Sequence, residues 1–469
     1  FQLSWSGVAT TDSVGLYETW YALENGTDSV ALTTHGETMH TRKWLPCFDE
    51  PRFKAPLKLS IEHPKSTKAL SNAPVVSVKE TPEGRSITVF EPTWTLSAYL
   101  YAFSVTDYTS LQADIDGLPV AAHVPVSLSA LLPQVMEIIK SIVSPSLKIL
   151  GAIHINKKLD FVFFPDHTSA MENPGHISFG ADFLNRRDTY VHEMMHQYFG
   201  NLITLEWWSD VWINEGLANY YEEIVTKGDG TEEMITSLRS LRGSLNSDVY
   251  STSLALHNPV ETFLESRHNF RNPYSKGAVI VHMLRDFVGK RALDREIERM
   301  LRYRANSTLS LGQFIDYVAA AGGEEGENAA NMARDFLTKP GFPLLIVRNV
   351  DNMTIISNFI KFSCAKYVQT YIFSIRWTVP IHLTSIDGTY QTTIVMQNND
   401  ISLIHSRPLI IDPKRVVYYR VIYDRDTYRN IAKNNLSDTD KNYIESDLVT
   451  AAFYGYANVT AACEVILRR

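Results

Sequence analysis

The segment TYVHEMMHQYFGN, starting at Thr189, carries two histidines four residues apart with a glutamate directly after the first. On a helix, positions i and i+4 stack on one face, so the imidazoles of His192 and His196 can reach one ion. Glu193 lies one position round, where its carboxylate can touch a metal-bound water without being a ligand. A catalytic zinc takes three protein ligands and leaves its fourth position to water. The third ligand is expected on the following helical stretch, WWSDVWINEGLANYYEEIV, as Glu215, nineteen residues after His196. The fold must therefore bring two neighbouring helices together so that three side chains converge.

A His-Glu-x-x-His pattern arises by accident in roughly one chain of this composition in forty. A pair of helical histidines is, on its own, more often a surface or core feature than a metal site. The helix-borne glutamate at the spacing used by glutamate-ligated zinc peptidases reverses that balance. The chemistry expected of the centre follows from charge. Zinc(II) lowers the pKa of bound water from about 15.7 towards about 7, and Glu193 acts as general base on that zinc-activated water. A further donor is expected beside the developing oxyanion.

The 469 residues exceed one core and predict several domains. Residues 1–107 read as strands, for example DSVGLYETWYAL and RSITVFE, separated by Pro and Gly. Residues 108–340 mix helix and strand: LSALLPQVMEIIKSIV has a helical period, LDFVFF reads as a buried strand, and the histidine helix follows. The breaker pair in KPGFP closes that region. Strand signals return over 341–422, and 423–469 is helical in pattern. The predicted class is multi-domain α+β.

A formal charge of −8, spread without a basic stripe, argues against nucleic acid as a partner. No apolar run reaches the roughly 18 residues of a membrane span. The chain opens on FQLSWSG without a methionine, so it is expected to be a fragment, with any leader or membrane anchor lying upstream. Cys47, Cys364 and Cys463 give no disulfide framework, and Cys47 is expected to be a buried thiol. Asn-x-Ser/Thr sequons at Asn25, Asn306, Asn352, Asn435 and Asn458 lean towards an extracellular or cell-surface location, with the cytoplasm as the alternative.

HEMMHQYFGNLITLEWWSDVWINEGLANY resembles the signature of the zinc aminopeptidases typified by aminopeptidase N, a gluzincin family. SAMENPG (Ser169–Gly175) is similar to that family's exopeptidase motif, and PCFDEPRFKAP, NPYSKGAVIVHML and KPGFPLL follow in the family's order. The resemblance implies a β-rich N-terminal domain, a thermolysin-like catalytic domain, a small β-sandwich and the start of a C-terminal helical domain. It implies one Zn2+ per chain, peptide substrates with a free N-terminus, and a homodimer through the helical domain outside this chain. Glu172, with Glu37 of THGETMHTR beside it, would bind the substrate's α-ammonium by charge-assisted hydrogen bonds. Ala170, Met171 and Asn173 would lie along the substrate, and Tyr274 would donate to the oxyanion. Asp210 would either orient a ligand or cap its helix.

This chain departs from the family pattern at several points. Ser169 stands where glycine is usual, Pro174 follows the exopeptidase motif, and the connection from Asn173 to His192 is short. His35 falls where glutamine is common; once protonated, it would repel the substrate's ammonium. These departures motivate a second reading, a catalytically impaired peptide-binding protein of the same fold. A lipid-epoxide hydrolase and a thermolysin-like endopeptidase would share the zinc motif as well. The endopeptidase would have no use for the Glu172 carboxylate.

Overall fold

In the computed structural model the described residues are 2–23, 26–150, 157–241, 243–249, 252–262, 264–266, 270, 272–351, 353–359, 377–397, 400–405, 408–434, 436–455 and 457–458. Cys364, Cys463 and the sequons at Asn25, Asn352 and Asn435 fall outside them, whereas Asn306 and Asn458 are exposed. The chain forms two compact units: 1–234 with 259–270 and 298–310, and 235–258 with 271–297 and 311–469. A β-rich N-terminal region is followed by a mixed α/β region.

The first unit begins with the antiparallel pair Gly15–Ala22 and Asp28–His35, in register from Gly15↔His35 to Ala22↔Asp28. Tyr17, Thr19 and Tyr21 alternate inward, the period-2 pattern of a half-buried strand. The sheet continues through Phe103–Thr106 to Lys68–Ser71. At the end of the second strand the backbone of Gly36 presses on Tyr99. A Cβ there would meet the Tyr99 carbonyl oxygen at 2.5 Å, so only glycine lets the chain turn Glu37 inward at this point.

The sheet of the mixed region runs Thr109–Ile115, Leu118–Val124, Leu159–Phe164, His176–Gly180, Ala170–Met171. Its centre is parallel: Leu159–Phe164 pairs in that sense with both neighbours and is buried throughout, which is why it reads as the unbroken run LDFVFF. The edge strand Ala170–Met171 pairs antiparallel with Phe179 and Ser178, leaving Glu172 just beyond the sheet.

Three helices, α1 (Leu132–Ile149), α2 (Arg187–His196) and α3 (Val211–Lys227), pack on one another. The stretch Val126–Ile149 is long and apolar enough to cross a membrane by length and composition. In the fold Val135, Met136, Ile139, Ile142 and Val143 point into the core while Gln134, Glu137, Lys140 and Ser141 face outward, the arrangement of an amphipathic core helix. An aromatic stack fixes α2 to the sheet. Phe163 and Phe179 ring centroids lie 5.2 Å apart, Phe179 and Tyr190 4.9 Å, and the Tyr190 hydroxyl donates to the Leu184 carbonyl at 2.7 Å. Each such aromatic pair contributes about 0.5–1.5 kcal/mol beyond area burial. His192 follows two positions later.

In the second unit the helices Pro273–Val288, Leu311–Gly322 and Gly326–Thr338 pack together. Two sheets follow. One runs Ile401–Ile404, Met353–Phe359, Leu344–Val350, Arg420–Tyr423, and the other Gln391–Met396, Val379–Ser385, Leu409–Ile411. The helices Arg425–Lys433 and Asp438–Phe453 begin at Asp424 and Ser437, whose side chains accept from the Thr427 and Asp440 amides.

Candidate active site

The helical period of α2 puts the His192 and His196 rings 4.6 Å apart between centroids, with their Nε2 atoms 3.0 Å apart. From α3, Glu215 Oε2 approaches to 3.3 Å from His192 Nε2 and 3.2 Å from His196 Nε2. All three residues are buried. The far ring nitrogens have acceptors: His192 Nδ1 donates to Glu222 Oε2 at 3.2 Å, and His196 Nδ1 to the Phe199 carbonyl at 2.9 Å. With Nδ1 donating to those partners, both Nε2 atoms face the Glu215 oxygen, where they bind either a proton or a cation.

Three lone-pair donors at this separation suit a cation. Ligands about 2.0–2.1 Å from a tetrahedral ion stand about 3.3 Å from one another, close to the separations seen. The electrostatics agree. Burial pulls His192 and His196 down, but the carboxylates reverse it: Glu215 and Glu222 hold His192 well above its ordinary value, and Glu215 and Glu172 bring His196 to about 9. Burial raises the Glu215 carboxyl, and His196 and His192 outweigh it, leaving about 2. The cluster holds positive charge, and its donor set fits zinc.

A second group, Glu172, Glu193 and His196, also brings its donor atoms within 4.8 Å of one another. Glu37 Oε1, Glu172 Oε1 and Glu193 Oε2 are buried and have no hydrogen-bond partner among the described residues. Burial raises all three carboxyls. Neighbouring Glu172 and Glu215 add to the rise at Glu37, and His196 opposes it at Glu172 and Glu193, the latter reaching about 8. Such unpaired buried oxygens can be satisfied by a ligand that brings donors.

The Glu172 backbone is held firmly. Its carbonyl accepts from Gln197 Nε2 at 3.0 Å and Asn201 Nδ2 at 2.9 Å. Asn173 Nδ2 donates to the Leu100 carbonyl at 3.3 Å, and Asn72 Nδ2 to the Pro174 carbonyl at 2.9 Å. Gly175 takes φ +70°, and a Cβ there would sit 2.1 Å from the Asn72 carbonyl oxygen, so Pro174 and Gly175 make a tight turn only glycine completes. Ala170 is half-buried and Met171 buried.

Several expectations need correction. His35 is not a cationic threat to a bound ammonium: burial, reinforced by His167 and His40, lowers it to about 3, so it is neutral at physiological pH. Cys47 is half-buried rather than buried, and burial with Asp49 nearby pushes its thiol up to about 11. Asp210 occupies the N-cap position of α3, but its side chain makes no cap hydrogen bond and instead accepts from Trp212 Nε1 at 3.3 Å. Ser169 is exposed and hydrogen-bonds His167 Nε2 at 3.2 Å, and His167 Nδ1 in turn meets the Tyr17 hydroxyl at 3.2 Å. Tyr274 is exposed in the first turn of the helix Pro273–Val288.

Sequence reasoning missed two residues. Glu222 lies on α3 two turns beyond Glu215, and that seven-residue spacing was the signal for a shared face. Tyr99 donates to the Gly200 carbonyl and accepts from Asn214 Nδ2, each at 3.2 Å, and burial with Glu172, Glu37 and Glu215 nearby raises its phenol. Nothing local in SAYLYAF points to that role.

Two adjacent helices that supply His192, His196 and Glu215 beside a mixed sheet are the arrangement of a metallopeptidase domain. The chain belongs to peptidase family M1: a model of the family's N-terminal domain matches residues 1–100, and a model of the M1 peptidase domain matches 150–336. It is 29% identical over 478 residues to a glutamyl aminopeptidase of Sus scrofa, covering 95% of this chain and 49% of that protein. It is 24% identical to an aminopeptidase N of Haemonchus contortus, covering 96% of this chain and 51% of that protein. A leucyl aminopeptidase of Saccharolobus solfataricus matches at 26%, covering 91% and 55%. The chain thus spans about half the length of the curated relatives it matches.

Proposed function

We propose that the protein containing this chain is a zinc-dependent aminopeptidase that removes N-terminal residues from peptides. The observation that carries this reading is the convergence of His192, His196 and Glu215, with the unpartnered carboxyls of Glu172, Glu193 and Glu37 close by. Zinc(II) in that donor set supplies a Lewis acid that polarises the scissile carbonyl and brings the pKa of water towards about 7. Glu193 takes a proton from the attacking water and passes it to the leaving amine. Glu172 and Glu37 receive the α-ammonium, whose donors satisfy their orphaned oxygens. An internal peptide segment has no such ammonium, so the carboxylates favour cleavage after the first residue. Ala170, Met171 and Asn173 flank the bound chain, and Tyr274 donates to the carbonyl oxygen as it gains charge.

The reading extends to the domains. A thermolysin-like catalytic domain over 108–340 follows a β domain over 1–107, and a β-sandwich over 341–422 precedes a helical domain beginning at 423. In support, one sheet's last strand ends at Thr106 and the next sheet begins at Thr109. The exposed sequons Asn306 and Asn458 favour a cell-surface or extracellular setting.

The test is release of arylamine from aminoacyl-arylamides by the zinc-loaded protein, with an N-acetylated peptide beside its free counterpart. Equal cleavage of the two would overturn the role given to Glu172 and Glu37.

A further inference from the structure

Gln197 follows His196 directly and closes α2. Its backbone N–H turns to the Met194 carbonyl at 3.2 Å, one residue short of the i−4 partner that a continuing α-helix would use. That passed-over partner is Glu193. The Glu193 carbonyl receives the Gln197 side chain instead, with Nε2 donating at 3.0 Å. The same nitrogen donates at 3.0 Å to the Glu172 carbonyl. Both partners are carbonyl oxygens, which only accept, so the nitrogen of the amide and not its oxygen must lie between them.

The amide nitrogen carries two hydrogens, and each is committed to the backbone of a different glutamate. Gln197 is only 2% exposed, so water does not compete for either bond. Asn201 Nδ2 takes the second lone pair of the Glu172 carbonyl at 2.9 Å, which fixes the peptide plane there. The carboxyls of Glu172 and Glu193, by contrast, each leave an oxygen without a hydrogen-bond partner among the described residues. Their placement is therefore set from the backbone, and Gln197 holds both backbones with one group.

We propose that Gln197 is a positioning residue: its amide straps the Glu193 backbone to that of Glu172 and so sets the spacing between the base and the ammonium site. This role rests on the aminopeptidase reading for the two carboxyls. The test uses two zinc-binding probes, leucine hydroxamate and 4-methylpentanohydroxamate, which differ only in the α-amino group. Their affinity ratio for the zinc-loaded protein reports the ammonium site, because weaker zinc binding or a looser fold acts on both probes and cancels. Gln197→Met keeps the volume and removes both donors. It is expected to cut the ratio about tenfold, the worth of one hydrogen bond to a charged group, with zinc affinity and binding of the des-amino probe unchanged.

Gln197→Ser admits water to the freed carbonyls and should show the same fall, so a methionine variant that does not fold leaves the test intact. Tyr190→Phe, which removes the hydroxyl bond from α2 to Leu184, should lower the urea midpoint and keep the parent's ratio. An unchanged ratio in a folded Gln197 variant would overturn the proposal, as would an equal loss of both probes or a matching fall in Tyr190→Phe. A parent that binds the two probes equally would sink the aminopeptidase reading and the strap together. A parent that prefers the amine, with variants that keep the preference, would sink the strap and spare the peptidase reading.

Discussion

Removing the Glu222 carboxylate should weaken zinc binding although Glu222 is not a ligand. Its Oε2 lies 3.2 Å from His192 Nδ1, and the side chains are only 14% and 11% exposed, so water does little to replace the contact. A full charge pair at that distance and an effective dielectric of about 20 would be worth about 5 kcal/mol. The imidazole is neutral when it ligates and gains only partial positive charge, so the effect should be a fraction of that. Loss of such an outer partner typically costs about 10–100-fold in metal affinity, or about 1.4–2.7 kcal/mol. Glu222→Ala is expected in that range. Glu222→Gln, which keeps an acceptor and loses the charge, should fall below it. The assay is competition for zinc against a chromophoric chelator, with circular dichroism to verify the fold. A folded Glu222→Ala protein that binds zinc as tightly as the parent would show that the partner at Nδ1 does not orient His192.

Glu193→Gln should retain zinc in the same chelator competition yet lose about 10²–10⁴-fold in turnover, the usual range for a positioned base; equal turnover would remove Glu193 from the mechanism. Tyr274→Phe should lower kcat by about 10²–10³-fold with little change in KM, and a change confined to KM would argue for a binding role instead. Acid should destabilise the first unit through His176, which burial lowers from 6.5 to about 4 in the folded chain. Between those values the unfolded chain binds more protons, so this contribution is fully present above about pH 6.5 and is lost as pH falls towards 4. At about 1.4 kcal/mol per unit it is worth about 3 kcal/mol. Urea midpoints at pH 7 and 4.5 should therefore differ less in His176→Gln than in the parent, and an unchanged difference would refute the assignment.

The convergence of His192 and His196 was legible in the sequence because a helix has a fixed period. His192 and His196 cannot share a helix at that spacing without sharing a face, and residue type limits what a shared face can do. LDFVFF was legible because a parallel strand covered on both sides must be apolar throughout. Glu222 was only half legible, because NYYEEIV offers Glu222 and Glu223 seven and eight residues after Glu215, and spacing alone puts both on that face. Only the packing of α3 against α2 turns Glu222 towards His192. The charge of His35 was misjudged for a related reason. Sequence supplies an ordinary pKa, and burial among other imidazoles is a property of the fold. Tyr99 lies far along the chain from the groups it touches, and no local pattern carries a contact of that range.

What joins the ligand helix to Glu172 is one short loop. His196 Nδ1 donates to the Phe199 carbonyl, Tyr99 to that of Gly200, and Asn201 Nδ2 to that of Glu172. From the N-terminal region, Lys54 Nζ donates to the carbonyls of Asn201 and Leu202 at 3.2 and 3.4 Å. An aminopeptidase must hold its hydrolytic centre and its ammonium site one residue's length apart, because a looser spacing would let the scissile bond slide. On the proposed reading, a loop tied at one end to His196 and at the other to Glu172 would fix that spacing through backbone carbonyls. Their positions do not depend on which side chain the substrate brings. On that reading the N-terminal β region is part of the ruler: Tyr99 and Lys54 hold the loop from its side, and Glu37 would supply the second carboxylate.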